Sequence, residues 1–199
     1  RTLLIEQQRE FLQKDLGTKR QQLMEITAYK DTPFPVVISG LRRAGKSTLL
    51  AQLAHAFYPD KDYFFINFED ERFLPFTVSD FAKLHELLIE LFGNQRVFLL
   101  DEIQNIAGWE RFVSRMITSG YKFYITGSNA SLLSKELGTK LTGRYIPIEL
   151  FPFSFEEYLR FKKTPIPSVT RLTTVERGII KRSFLGYVKK GGIPQALQN

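Results

Sequence analysis

The chain has no cysteine in 199 residues, which excludes disulfides and thiolate metal sites but says little about compartment. Its two histidines, His55 and His85, have no partner at metal-ligand spacing, so both are assigned to packing or to the surface. No apolar run approaches the roughly 18 residues that cross a bilayer, and the opening stretch RTLLIEQQREFLQKD lacks the unbroken apolar core of a signal peptide. The expectation is a soluble, cytoplasmic protein with no membrane partner. Internal repeats and low-complexity tracts are missing too.

What is present suits a globular protein: 43% hydrophobic and 14% aromatic residues can bury one sizeable core and leave a small appendage. A net charge of +7 and a pI near 9.6 allow two readings. Either a basic face attracts a polyanion such as nucleic acid, or a solvated surface is joined by a few cations that serve phosphates. No nucleic-acid motif accompanies the charge. The chain starts at arginine and stops at GGIPQALQN, which reads as a piece of a longer protein.

Residues 1–30 have apolar positions at loose helical spacing, Leu4, Leu12, Leu16, Leu23 and Ile26 among them, and predict a prefix helix or two packed outside the core. PFPVVISG then reads as a strand ending at glycine, and KSTLLAQLAHAFY as a helix. DYFFINFED is a second strand, and TVSDFAKLHELLIELFG a helix capped by Thr77 or Ser79 and closed by Gly93. RVFLLDEI is a third strand, AGWERFVSRMITSG a helix anchored at its start by Trp109, and KFYITGSN a fourth strand. ASLLSKELG predicts a short helix and RYIPIEL a fifth strand. Nearly continuous apolar strands alternating with helices indicate an α/β fold, a parallel sheet covered on both faces. Ligands of such sheets lie at the carboxyl ends of the strands. The segments predicted are a helical prefix over 1–30, the α/β core over 31–151, and a helical subdomain or lid over 152–199 beyond the proline-rich KKTPIPSVT.

The string GLRRAGKST fits the phosphate-binding P-loop, Gly-x-x-x-x-Gly-Lys-Ser, at Gly40, Gly45, Lys46 and Ser47. Its glycines let the N–H groups of the loop, through Ala44 and on to Thr48, converge on phosphate at a helix N-terminus. Lys46 reaches the β and γ phosphates and Ser47 ligates magnesium. A chance match in a chain of this length is about one in a hundred before the flanking strand and helix are counted. Arg42 and Arg43 either touch phosphate or face water.

VFLLDEIQ supplies a second element: Asp101 at the strand end can hold magnesium through water, and Glu102 can polarise an attacking water. An Asp-Glu pair alone is a weak signal. It gains weight by following Lys46 by 55 residues, after another strand. An Asn-Lys-x-Asp guanine reader is absent, which points to ATP over GTP. Glu69, Asp70 and Glu71 end the second strand on the same rim, either organising metal and water or forming an exposed acidic turn. Thr126, Ser128 and Asn129 either sense the γ phosphate or cap the next helix. Arg144 either stabilises charge across a subunit or domain boundary, as arginine fingers do, or forms a structural salt bridge.

Taken together, GLRRAGKST, FLLDEIQNIAGWERFV, FYITGSNASLL, LTGRYIPIELFPFSFEEYL and GGIP resemble the prokaryotic AAA-type ATPases that usually carry a further C-terminal domain of unknown function. The resemblance runs from about Phe34 to Pro194. It implies a three-layer α/β/α P-loop sandwich of strand order 5-1-4-3-2, with an extra strand between the P-loop strand and the Asp101 strand, and ATP and magnesium as ligands. Gly192-Ile193-Pro194 is similar to the Gly-x-Pro element of the related STAND signalling ATPases, whose proline approaches the nucleotide; the alternative is a plain helix stop and turn. Three functions stay open: a magnesium-dependent ATP hydrolase, an ATP-gated interaction switch of slow turnover, and a nucleic-acid-stimulated ATPase. Partners implied are ATP and ADP, a second copy of the chain, or the C-terminal domain.

Overall fold

The computed structural model describes residues 1–128, 141, 143–165 and 172–197. The expected helix ASLLSKELG, Asn129, and most of the proline-rich break lie outside the described residues. In chain order the elements are α1 (Thr2–Leu12), α2 (Gln22–Thr27), β1 (Val36–Gly40), α3 (Lys46–Phe57), β2 (Phe64–Asn67), α4 (Phe81–Phe92), β3 (Val97–Asp101) and α5 (Trp109–Thr118). They are followed by β4 (Lys122–Ser128), β5 (Ile146–Leu150), α6 (Phe155–Phe161), α7 (Thr174–Lys190) and α8 (Pro194–Leu197).

The five strands form one parallel sheet in the order β2-β3-β4-β1-β5, the 5-1-4-3-2 order read from the opposite edge. β4 is the strand inserted between β1 and β3. Because side chains alternate across a strand, each strand feeds both faces. Val37, Phe98, Leu100, Phe123 and Ile125 meet Phe81, Leu88, Phe112 and Val113 of α4 and α5 in one cluster. Val36, Ile38, Leu99 and Tyr124 meet Leu49, Leu50 and Leu53 of α3 in the other. Aromatic rings dominate the first cluster. Phe81 stacks on Phe112 with centroids 4.3 Å apart, and such a pair adds about 0.5–1.5 kcal/mol beyond its area.

Local signals set the boundaries. The Thr77 backbone and hydroxyl both donate to Asp80 in a capping box on a short turn that runs directly into α4, and Gly93 ends that helix at φ 81°. Trp109, buried, starts α5 behind Gly108, which adopts φ 80°. His85 packs among Phe64, Phe98 and Tyr121, while His55 is exposed, in keeping with their assignment.

The prefix helices correct an expectation: they pack into the core, not outside it. Phe11 of α1 stacks on Phe65 at 3.8 Å, and Leu23 and Ile26 of α2 are buried in the α3 cluster. α1 also serves the edge strand β2. The Phe65 N–H donates to Gln8 Oε1 (3.2 Å) and the Asn67 N–H to Gln7 Oε1 (3.0 Å), while Gln7 Nε2 donates back to Asn67 O (3.0 Å). The helical spacing in the sequence shows an apolar stripe but not which surface it meets, and the two buried glutamines carry no apolar signal at all.

Candidate nucleotide site

β1 delivers the chain to the rim where the strands end. Gly40, its last residue, allows β5 to approach: a Cβ there would lie 2.3 Å from Leu150 O. The loop then turns through Arg43 (φ 68°) and Gly45 (φ 97°), left-handed conformations that suit glycine and cost arginine, before α3 starts at Lys46. The N-terminus of α3 therefore faces a cavity of about 700 Å³ lined by Lys14, Arg42, Arg43, Gly45, Lys46, Ser47, Thr48, Glu69, Glu102, Asn105, Ser128, Pro194 and Gln195.

Lys46 is buried, and its ammonium donates to Gly40 O and Leu41 O, both at 3.3 Å, with Glu102 Oε1 at 3.4 Å. Glu102 sits at φ 52°, a left-handed conformation rare outside glycine, which aims its carboxylate at the loop. Its second oxygen accepts from Gln104 Nε2 at 2.5 Å. Asp101 is buried at the end of β3, hydrogen-bonded by the hydroxyls of Ser47 and Thr126. Burial raises its pKa, the two hydroxyls pull it down, and the neighbouring Glu102 carboxylate adds to the rise. Thr126 also accepts the Glu102 backbone N–H at 3.2 Å, so one β4 hydroxyl links the Asp101 carboxylate to the Glu102 main chain. Insertion of β4 beside β3 is what makes this bridge possible.

Among the remaining candidates, Ser128 reaches the cavity wall. Arg42 and Arg43 line it from exposed positions, and Arg42 Nη2 pairs with Glu69 at 3.2 Å across its mouth. Of the three acids after β2, Glu69 alone lines the cavity; Asp70 is held by Arg72 and by Gln7, and its hydrogen bonds to Arg72 keep its pKa low. Arg144 is exposed beside the first residues of β5, at the end of the sheet opposite the loop, and does not line the cavity. Thr142 and Asn129 lie outside the described residues.

Pro194 does reach the loop. A Cβ on Gly45 would lie 3.9 Å from Pro194 Cγ. Gly191 ends α7 at φ 76°, the helix stop, while Gly192 packs so tightly that a Cβ would meet Phe153 O at 2.4 Å. The Phe153 N–H donates to Gly192 O at 2.7 Å, which fixes the approach.

Sequence reasoning missed Arg20. Almost fully buried, it donates from Nη1 to Ala44 O of the loop (2.6 Å), from Nη2 to Phe151 O (2.5 Å), and from Nε to Glu157 Oε1 (3.0 Å). Its guanidinium also lies 5.0 Å from the Phe153 ring centroid. Glu157 is equally buried, and its second oxygen closes the Ser154 capping box of α6. Breaking such a buried pair by removing one partner typically costs about 3–5 kcal/mol. SFEE carries the S-x-x-E signature of that capping box, whereas the arginine, in a run of lysine and glutamine, carries no such signal.

The fold and the cavity define a class, the P-loop nucleotide-binding α/β proteins. Residues 32–159 match the AAA_14 family, an AAA domain, and the chain belongs to that family. It is 36% identical over 159 residues to an uncharacterised protein of Methanocaldococcus jannaschii, covering 80% of this chain and 35% of that protein. It is 34% identical over 194 residues to an uncharacterised protein of Haemophilus influenzae, covering 94% and 46%. The chain thus spans less than half the length of these curated relatives. Among solved structures, the S. cerevisiae Hsp104:casein complex is similar at TM-score 0.61 and 12% identity, over 96% of this chain and 38% of that one. A Walker-type ATPase of Pyrococcus abyssi is similar at TM-score 0.52 and 17% identity, over 89% and 64%. These two show the shared fold. Family and relatives together place the chain among prokaryotic AAA-type ATPases, an ATP-binding class. Among the described residues no helix is long and apolar enough to cross a membrane.

Proposed function

We propose that the cavity binds ATP with magnesium and hydrolyses it to ADP and phosphate. The observation that carries this reading is the pairing, at one helix N-terminus, of the Lys46 ammonium with the Glu102 carboxylate at 3.4 Å, beside the Ser47 hydroxyl on Asp101. Cation, metal donors and base are side by side. The α3 N–H groups and Lys46 hold the phosphates. Ser47 and Asp101 form an oxygen donor pair of the kind that magnesium shares with phosphate and water. Magnesium, when bound, neutralises charge on the phosphate oxygens. Glu102 orients the attacking water and accepts its proton, and Thr126, bonded to the Asp101 carboxylate and the Glu102 backbone N–H, holds the chain at this step.

Removing a general base costs about 10²–10⁴-fold in rate. Glu102→Gln keeps the shape and the Gln104 contact, so single-turnover phosphate release should fall by that factor while ATP affinity stays within a few-fold. Unchanged phosphate release would remove Glu102 from the chemistry.

A second reading, an ATP-gated switch of slow turnover, is favoured by Pro194, which brings the C-terminal helices to the loop itself. Phosphate release too slow to detect, with ATP still altering how those helices pack, would select it. Arg144 serves the cavity only from a second copy of the chain, since its own cavity is at the other end of the sheet. Mixing Arg144→Ala with Glu102→Gln protein should restore turnover if it does, and leave it low if the arginine is structural.

A further inference from the structure

We infer that Arg20 is a positioning residue that makes the phosphate loop and the C-terminal helices a single two-state element, so that filling the loop is felt at α6. The inference rests on the nucleotide reading above. Three parts of the chain distant in sequence converge on one guanidinium: Ala44 O of the loop, Phe151 O after β5, and the Glu157 carboxylate of α6. The fit leaves little slack, because a Cβ on Gly45 would lie only 3.3 Å from Arg20 Nη1.

The second half of the link is Glu157. One carboxylate oxygen takes Arg20 Nε and the Gln21 N–H, and the other takes the Ser154 N–H at the cap of α6. The first turn of α6 is therefore tied, through one carboxylate, to the arginine that holds the loop. Gln52 of α3 adds a third tie, accepting the Arg20 N–H at 3.0 Å and donating to Leu16 O and Thr18 O. With both ions buried, neither can swing into water without leaving its partner unpaired, which makes a partial, graded shift costly. Closing the loop on an anion re-aims the Ala44 peptide, and the rigid guanidinium passes that change to Glu157 and Phe151. By linkage the coupling is reciprocal: helices held in place favour the loop geometry that accepts phosphate.

The test is amide hydrogen exchange on the chain with and without magnesium ADP, together with the ADP dissociation constant. In the unsubstituted chain, ADP should slow exchange both at residues 40–48 and at residues 155–159. In Arg20→Met the dissociation constant should rise tenfold or more, and saturating ADP should protect 40–48 but no longer 155–159. Arg20→Lys should behave like Arg20→Met, since one ammonium on a flexible stem cannot span three acceptors in fixed directions; rescue by lysine would show that only a buried charge is needed and overturn the inference. Glu157→Gln, which keeps the Ala44 and Phe151 bonds, should lose protection at 155–159 with the dissociation constant within about threefold. If Arg20→Met does not fold, Arg20→Lys and Glu157→Gln decide by the same readout. A folded Arg20 variant that keeps protection of both segments overturns the inference. Protection at 40–48 without protection at 155–159 in the unsubstituted chain overturns it alone, leaving the nucleotide reading intact. No protection anywhere overturns both.

Discussion

Gly40→Ala should damage the fold and the loop together. Its Cβ would lie 2.3 Å from Leu150 O and 3.2 Å from the Leu150 carbonyl carbon. Even close C–H···O contacts keep carbon and oxygen about 3.3 Å apart, so the two backbones must separate by about 1 Å. β1 and β5 are paired from Val36↔Ile146 to Gly40↔Leu150, and they cannot part at one end without stretching that ladder. Overpacking typically costs about 1–3 kcal/mol, and a clash with backbone, which cannot rotate away, belongs in the upper half. At about 2–4 °C per kcal/mol for a chain of this size, 2–3 kcal/mol lowers Tm by roughly 4–12 °C. Gly40 O also accepts from Lys46, so ATP affinity should fall with stability. Gly178→Ala is the control. A Cβ there meets nothing within 4 Å, and relief of a mid-helix glycine in α7 is worth about 0.5–1 kcal/mol, so Tm should rise slightly. Thermal melts followed by circular dichroism, paired with ATP titration, read both. A Gly40→Ala protein melting at or above the unsubstituted chain would refute the close approach of β5.

Two further perturbations test the core. Phe11→Ala removes a ring stacked on Phe65 and edge-on to Tyr63, and should cost about 3–5 kcal/mol by urea unfolding, whereas a loss under 1 kcal/mol would mean that α1 is an appendage after all. For His85, burial first, then Arg115 and Arg96, lower the pKa below the usual 6.5. The folded chain thus binds this proton less readily than the unfolded chain, so stability contributed here is full above about pH 6.5 and is lost as pH falls below it. His85→Phe should flatten the fall in Tm as pH drops below about 6.5, and an unchanged slope would assign the acid sensitivity elsewhere.

The parts of the molecule that were readable in advance are those whose cause is local. Val36–Ile38 and Val97–Leu100 are apolar without a break because both faces of a central parallel strand are covered, and that shows in the residues themselves. The loop and the Asp101-Glu102 step are local patterns too, and the structure brings them together. The strand order followed from the resemblance to a family, since alternation alone does not say that β4 enters between β1 and β3. Arg20 was illegible for a physical reason. A charged residue between lysine and glutamine looks solvated unless its partner is known, and Glu157 lies 137 positions away. Gln7 and Gln8 were hidden likewise, because an amide that completes a strand has the composition of a surface residue. The placement of Arg144 away from the loop was legible from the parallel sheet itself, since a residue that precedes a strand lies at the end opposite the carboxyl-end rim.

The two ends of the sheet bear on how the protein behaves in a crowded solution. An edge strand with unmet backbone groups is a template for another chain's strand. At β2, the outward N–H groups of Phe65 and Asn67 are taken by Gln8 and Gln7 of α1. At β5, the Ile146 N–H turns inward to Pro35 O, so the next residue along would present its N–H outward, and that residue is Pro147, which has none. One edge is closed by borrowed side-chain amides and the other is blunted by a missing donor. Loss of α1 would therefore do more than thin the core: it would uncover a strand edge, and self-association through β2 would be the consequence.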